Sequence, residues 1–171
     1  GMTLVMITGN IDLSVGSQLT LMTVLCAQFS KVMGAWTIPL TLLIGLGCGL
    51  LNGVLVGPCG LNAFITTLGT GSIYGALTLI LVSGHTVRAE VPLLDIIGKG
   101  SLFNVIPVPV VILLVVVLIF AFLLKNTVFG QRLYAIGANI TAARYSGIKC
   151  RREVAITYIL TGLCCALASI V

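Results

Sequence analysis

The stretch that decides the fold is Val108-Pro109-Val110-Val111-Ile112-Leu113-Leu114-Val115-Val116-Val117-Leu118-Ile119-Phe120-Ala121-Phe122-Leu123-Leu124. It carries no polar side chain and no alternation of apolar with polar residues. A membrane β-strand would be about ten residues long and would alternate. At 1.5 Å of rise per residue, a helix of this length crosses most of a hydrocarbon core roughly 30 Å thick. Backbone amides in lipid must pair within their own segment, so the stretch reads as a membrane-spanning helix.

The rest of the chain agrees. Of its 171 residues, 58% are hydrophobic and 8% charged, with a mean hydropathy of +1.22. A soluble domain carries roughly a quarter charged residues. Further apolar segments run up to Gly9, then from Leu13 to Phe29, Ile38 to Val56, Ala63 to Val82, and from Val154 to Val171. The expectation is an all-α, polytopic transmembrane bundle of about five to six spans. Because the sequence opens at Gly1-Met2-Thr3-Leu4 and stops at Ser169-Ile170-Val171 in apolar surroundings, residues 1–171 are expected to form a single transmembrane domain incomplete at both ends.

Charge sets the orientation. The net charge is +5, and most of it lies between Lys125 and Glu153, where Lys125, Arg132, Arg144, Lys149, Arg151 and Arg152 face Glu153. Positive loops stay in the cytoplasm. Parity then puts Ser83–Pro107 outside, Gly57–Gly60 inside and Lys31–Thr37 outside. Charges so few and so placed mark membrane orientation, with lipid as the surroundings and no nucleic-acid partner.

Glycines 45, 49, 53 and 57 form one smooth ridge on a helix, and Gly71 and Gly75 repeat the spacing. Small residues in this register let helix backbones approach closely in lipid. Neither set fits a dinucleotide fingerprint, and Gly98-Lys99-Gly100-Ser101 lacks the upstream glycine of a phosphate-binding loop. The six cysteines (Cys26, Cys48, Cys59, Cys150, Cys164, Cys165) form no C-x-x-C pair and read as small buried hydrophobes. His85, the only histidine, has no cysteine or carboxylate cluster beside it, so neither a metal site nor a catalytic residue is expected.

Two polar stretches interrupt the apolar runs. In Thr8-Gly9-Asn10-Ile11-Asp12-Leu13-Ser14, an ionisable residue at membrane depth points to a pathway or a buried partner. Asp12 or Ser14 also suits the cap of a new helix, and a broken helix that lines a cavity satisfies both readings. In Asn62-Ala63-Phe64-Ile65-Thr66-Thr67-Leu68-Gly69-Thr70, Thr66 and Thr70 share a helix face. They either meet a polar solute or bond their own upstream carbonyls.

The basic loop reads Gly130-Gln131-Arg132-Leu133-Tyr134-Ala135-Ile136-Gly137-Ala138-Asn139-Ile140-Thr141-Ala142-Ala143-Arg144-Tyr145-Ser146-Gly147. Asn139 suits a helix N-cap and Gly147 a stop, with a short helix between them. Such a helix docks into another protein's groove, or it belongs to an ordinary loop held positive by topology.

Three of these segments together resemble one family. Gly9–Ser17 is similar to the "GGIDLSVGS" signature of permease subunits of bacterial ABC importers for ribose and related monosaccharides. Asn62–Thr70 resembles its "PPFIVTLGT" region, and Gly130–Gly147 its cytoplasmic loop. Asn10 departs from the usual glycine, and Cys59-Gly60-Leu61-Asn62 replaces a proline-rich lead-in. Family members are roughly twice this length.

The resemblance implies a multi-pass protein of the bacterial plasma (inner) membrane. It implies a second permease subunit, identical or different, and an extracytoplasmic sugar-binding protein that delivers the solute. ATP-binding subunits would hold ATP and its magnesium, this chain binding no cofactor itself. By the same resemblance, Asn10, Asp12, Ser14, Thr66 and Thr70 are expected near the translocation path. Residues 125–153 would be the coupling loop, with Gly130, Arg132, Gly137, Asn139, Ala142, Ala143, Arg144 and Gly147 toward the ATPase. The resemblance selects no one sugar: ribose, xylose, galactose and autoinducer-2 all fit. The rival class is a transporter driven by an ion gradient, for which Asp12 is the available carboxylate. A membrane enzyme would need convergent nucleophile, acid and base residues, and none converge in the sequence.

Overall fold

The structure, a computed structural model, describes residues 1–82, 92–102 and 106–171. Its helices are α1 (Met2–Ile7), α2 (Val15–Met33), α3 (Thr37–Val56), α4 (Ala63–Val82), α5 (Pro92–Lys99), α6 (Val108–Asn126), α7 (Val128–Ala138), α8 (Ile140–Tyr145) and α9 (Cys150–Ile170). A 3-10 turn at Gly34–Trp36 joins α2 to α3, and β1 (Ser101–Leu102) pairs antiparallel with β2 (Ile106–Pro107). His85, Arg88 and Glu90 lie outside the described residues.

Local chemistry sets the boundaries. The 42-residue apolar stretch Val15–Val56 folds into two spans at Gly34, whose φ of +55° suits glycine. Gly57-Pro58 ends α3, and Gly60, at φ +71°, reverses the chain. Asn62 then accepts from Phe64 N at 3.0 Å and so opens α4. Pro107 and Pro109 lead into α6, where a missing N–H costs nothing.

The bundle is organised around α3 and α9, which share its most extensive contact. The glycine ridge makes this possible. A Cβ at Gly53 would lie 2.6 Å from the Ala155 carbonyl oxygen, and one at Gly45 would lie 2.5 Å from Ala166 Cβ. Gly162 reciprocates, with Gly49 Cα 2.8 Å from where its own Cβ would be. The ridge therefore packs helices, as its spacing predicts. Gly71 also meets a neighbour, Ser14 Cα at 3.3 Å, whereas Gly75 faces open space.

The pairings fix the relative directions of the spans. Gly45 pairs with Ala166 and Gly57 with Arg151, so α3 and α9 are antiparallel. Leu13 meets Thr67 and Gln28 meets Leu81, so α2 and α4 run parallel. Both relations agree with the alternation of spans read from the sequence. α6 has a mean hydropathy of 3.1 and buries none of its residues, a surface suited to lipid or to another apolar helix.

Two connections hold more structure than their sequence suggests. α5 places buried Leu94 against Cys26 and Ile170, toward the C-terminal ends of α2 and α9. The basic segment is largely helical: α7 and α8 occupy most of it, and α9 begins at Cys150 instead of Val154. Thr127 starts α7 by accepting from Gly130 N at 3.3 Å. Among the cysteines, Cys59 stands exposed on the α3–α4 turn, contrary to the buried reading.

Candidate functional site

The break between α1 and α2 lies inside the protein. Asp12 is 3% exposed and Ser14 is fully buried. The Asp12 Oδ1 accepts from Ser14 N at 2.9 Å and from the Ser14 hydroxyl at 2.6 Å. The hydroxyl therefore does not cap α2; Asp12 closes a local turn just ahead of the helix instead.

Three neighbouring helices hold this break. From α3, Asn52 Nδ2 donates to Ser14 Oγ at 2.8 Å. On α4, Thr67 Oγ1 accepts from Leu13 N at 3.1 Å, and from α9 the Tyr158 hydroxyl donates to the Ile11 carbonyl at 3.3 Å. One turn along α2, Gln18 Nε2 donates to the Gly45 carbonyl at 3.3 Å. A carboxylate, an alcohol and an amide thus form a continuous chain, Asp12–Ser14–Asn52, at the centre of an apolar bundle. The Asn52 Oδ1 is buried without a hydrogen-bond partner among the described residues. Thr67 is the fifth residue of α4 and Asn52 the fifth from the end of α3, so the cluster lies about 6–8 Å inside the end of α3 and the start of α4.

The residues expected on the path divide. Asp12 and Ser14 belong to the cluster. Thr70 is buried one turn above Thr67 and donates to the Thr67 carbonyl at 3.3 Å, which is the upstream-carbonyl alternative. Asn10 bonds locally to Thr8 Oγ1 at 3.0 Å. Thr66 is only half-buried, and the threonine that faces the break is Thr67. Asn52, Thr67 and Tyr158 were not expected. An amide inside an apolar run was the available signal for Asn52, since such groups in lipid need a partner.

Helices α7 and α8 are likewise built from both sides. Asn139 Oδ1 accepts from Thr141 N and Ala142 N, each at 3.0 Å, and caps α8. Gly147 ends that helix at φ +82°. Gly130 and Ala143 are buried, and Gly137 is exposed but lies against α1. A Cβ at Gly130 would collide with the Leu124 backbone and one at Gly137 with the Ile7 carbonyl, while Ala143 joins a cluster with Val5, Val56 and Tyr158. Arg132 donates to Glu153 Oε1 at 2.9 Å and ties α7 to α9. Ala142 and Arg144 are exposed, beside Tyr145 at 89% exposure.

Residues 1–171 match the family described as branched-chain amino acid transport system / permease component. The chain is 35% identical to the galactofuranose transporter permease protein YtfT of Escherichia coli K12, over 100% of its own length and 50% of the relative's. It is 36% identical to the autoinducer 2 import system permease protein LsrD of Yersinia enterocolitica, over 99% and 53%. It is 35% identical to LsrC of Photorhabdus luminescens, over 100% and 52%. The chain spans about half the length of the curated relatives it matches. No solved structure matches it. With the family match running from the first residue to the last, and apolar helices arranged as a multi-pass bundle, this chain belongs to the permease components of the branched-chain amino acid transport family.

Proposed function

We propose that this chain is the membrane-spanning permease part of an ATP-driven importer for a monosaccharide or sugar-like solute in the bacterial inner membrane. The observation that carries the reading is the family match over the whole chain, shared with relatives named as galactofuranose and autoinducer 2 permeases. The chain conducts and does not catalyse. ATP is hydrolysed on partner subunits, an extracytoplasmic binding protein delivers the solute, and a second permease subunit completes the pathway.

The buried cluster supports this reading as the closed form of a path. Asp12, Ser14, Thr67 and Asn52 offer the acceptors and hydroxyls that a polyhydroxylated solute exchanges for water, and the unpartnered Asn52 Oδ1 leaves one acceptor open. Opening would occur by separation of α2 and α4 from α3 and α9, since the hydrogen bonds of the cluster cross those helices. On the cytoplasmic side, α8 with exposed Ala142 and Arg144 is the surface offered to the ATPase. The test is uptake of labelled ribose, galactose and autoinducer-2 in a strain lacking the full-length gene. Restored uptake that fails on ATP depletion supports the reading. Uptake that follows a proton or sodium gradient and ignores ATP would assign the chain to gradient-driven transport instead.

A further inference from the structure

We propose that a basic cleft at the cytoplasmic end of α9 binds the headgroup of an anionic phospholipid. The cleft has a volume of about 610 Å³, and Pro58, Ile148 and Ala155 contribute apolar lining. Its charged lining is Arg144, Lys149, Arg151 and Arg152. All four are exposed, and none has an ion-pair partner among the described residues.

Three of these charges stand where the fold opposes them. Lys149 is the N-cap of α9, and Arg151 and Arg152 follow in its first turn, with Glu153 the acidic residue there. The N-terminus of a helix already carries partial positive charge and favours anions. Glu153 does not neutralise the group, because it is bonded to Arg132 on α7. Three cations on one positive helix end, with Arg144 from the last turn of α8 beside them, therefore concentrate a field that favours an external anion.

Depth and lining identify the anion. Gly57, at the end of α3, packs on the Arg151 backbone, so the cleft lies at the level where the spans end. Ala155 and Pro58 give it apolar wall beside the cations. A lipid headgroup brings a phosphate to the cations and the first carbons of its acyl chains to that wall. A free phosphate uses only the first. Basic pockets between membrane helices on the cytoplasmic side take anionic headgroups by this chemistry. The proposal rests on the membrane orientation and not on the identity of the transported solute.

The test uses the full-length protein, delipidated in detergent, titrated separately with phosphatidylglycerol and phosphatidylcholine, and read by native mass spectrometry. Phosphatidylglycerol should be retained over phosphatidylcholine. Arg151→Gln combined with Arg152→Gln should lower that retention about 10-fold or more, and Lys149→Gln alone about 5-fold. Lys125→Gln, an exposed cation on α6 outside the cleft, should leave it unchanged. Three outcomes overturn the proposal. Both lipids could be retained equally, or every cleft variant could retain phosphatidylglycerol like the wild type while only ATPase co-purification falls. Displacement of the lipid by inorganic phosphate would show a site for a soluble anion.

Discussion

Gly49 of α3 has no room for a side chain: a Cβ there would stand 2.6 Å from the carbonyl oxygen of Tyr158 on α9. The same Tyr158 donates its hydroxyl to the Ile11 carbonyl. Close helix packing and the pinned break between α1 and α2 thus share one residue.

Gly49→Ala should push α3 and α9 apart. Replacing glycine with alanine inside a helix gains up to about 1 kcal/mol of propensity, but overpacking costs about 1–3 kcal/mol. Because the obstruction is backbone, the clash wins. Gly75→Ala meets nothing within 4 Å and keeps the propensity gain. Thermal unfolding of the two full-length variants in detergent should move in opposite directions; parallel shifts would contradict the packing role of the ridge.

Asp12→Ala leaves the Ser14 N–H and hydroxyl buried without their acceptor, a loss of about 1–3 kcal/mol. Asp12→Asn keeps a carbonyl oxygen in place of Oδ1. If the carboxyl works by holding the turn, the asparagine variant transports and the alanine variant does not. Equal loss in both, measured as solute uptake at matched membrane levels, would show that the charge itself is required.

Asn139→Ala removes the acceptor for two backbone N–H groups of a six-residue helix. The expected cost is about 0.5–2 kcal/mol, concentrated in α8 because so short a helix has little else to hold it. Limited proteolysis of the full-length protein should cut near Tyr145 sooner than in the wild type, while global unfolding changes little. Asn139→Asp should restore protection.

Arg132→Met strands Glu153, which is 5% exposed. Removing one partner of a buried pair costs about 3–5 kcal/mol, and the 48% exposure of Arg132 places this case below that range. The double variant Arg132→Met with Glu153→Met should recover most of the loss, since no uncompensated charge is left. A double variant no more stable than the single one would mean that the pair matters for more than neutralising Glu153.

The spans were legible because lipid leaves little choice: long apolar runs became α2, α3, α4, α6 and α9, and α4 keeps the boundaries read from sequence. The glycine ridge was legible because its spacing has one geometric meaning on a helix. The polar break was visible as an interruption, but its partners were not. Asn52, Thr67 and Tyr158 acquire their roles from helices that meet only in three dimensions. In the threonine pair, burial selected Thr67 over Thr66 through a rotation of one residue. α7 was not legible because it holds two glycines and one cation, Arg132, and its buried side chains, Leu133 and Ile136, are too few to make a stripe.

One contact has a mechanical consequence. Gly137 of α7 lies against the carbonyl of Ile7, the last residue of α1. Two surfaces touching backbone to backbone have no slack between them, so a displacement of α7 would reach the interrupted segment without first bending a span. The linkage is short and stiff because its contact point carries no side chain to absorb the stroke.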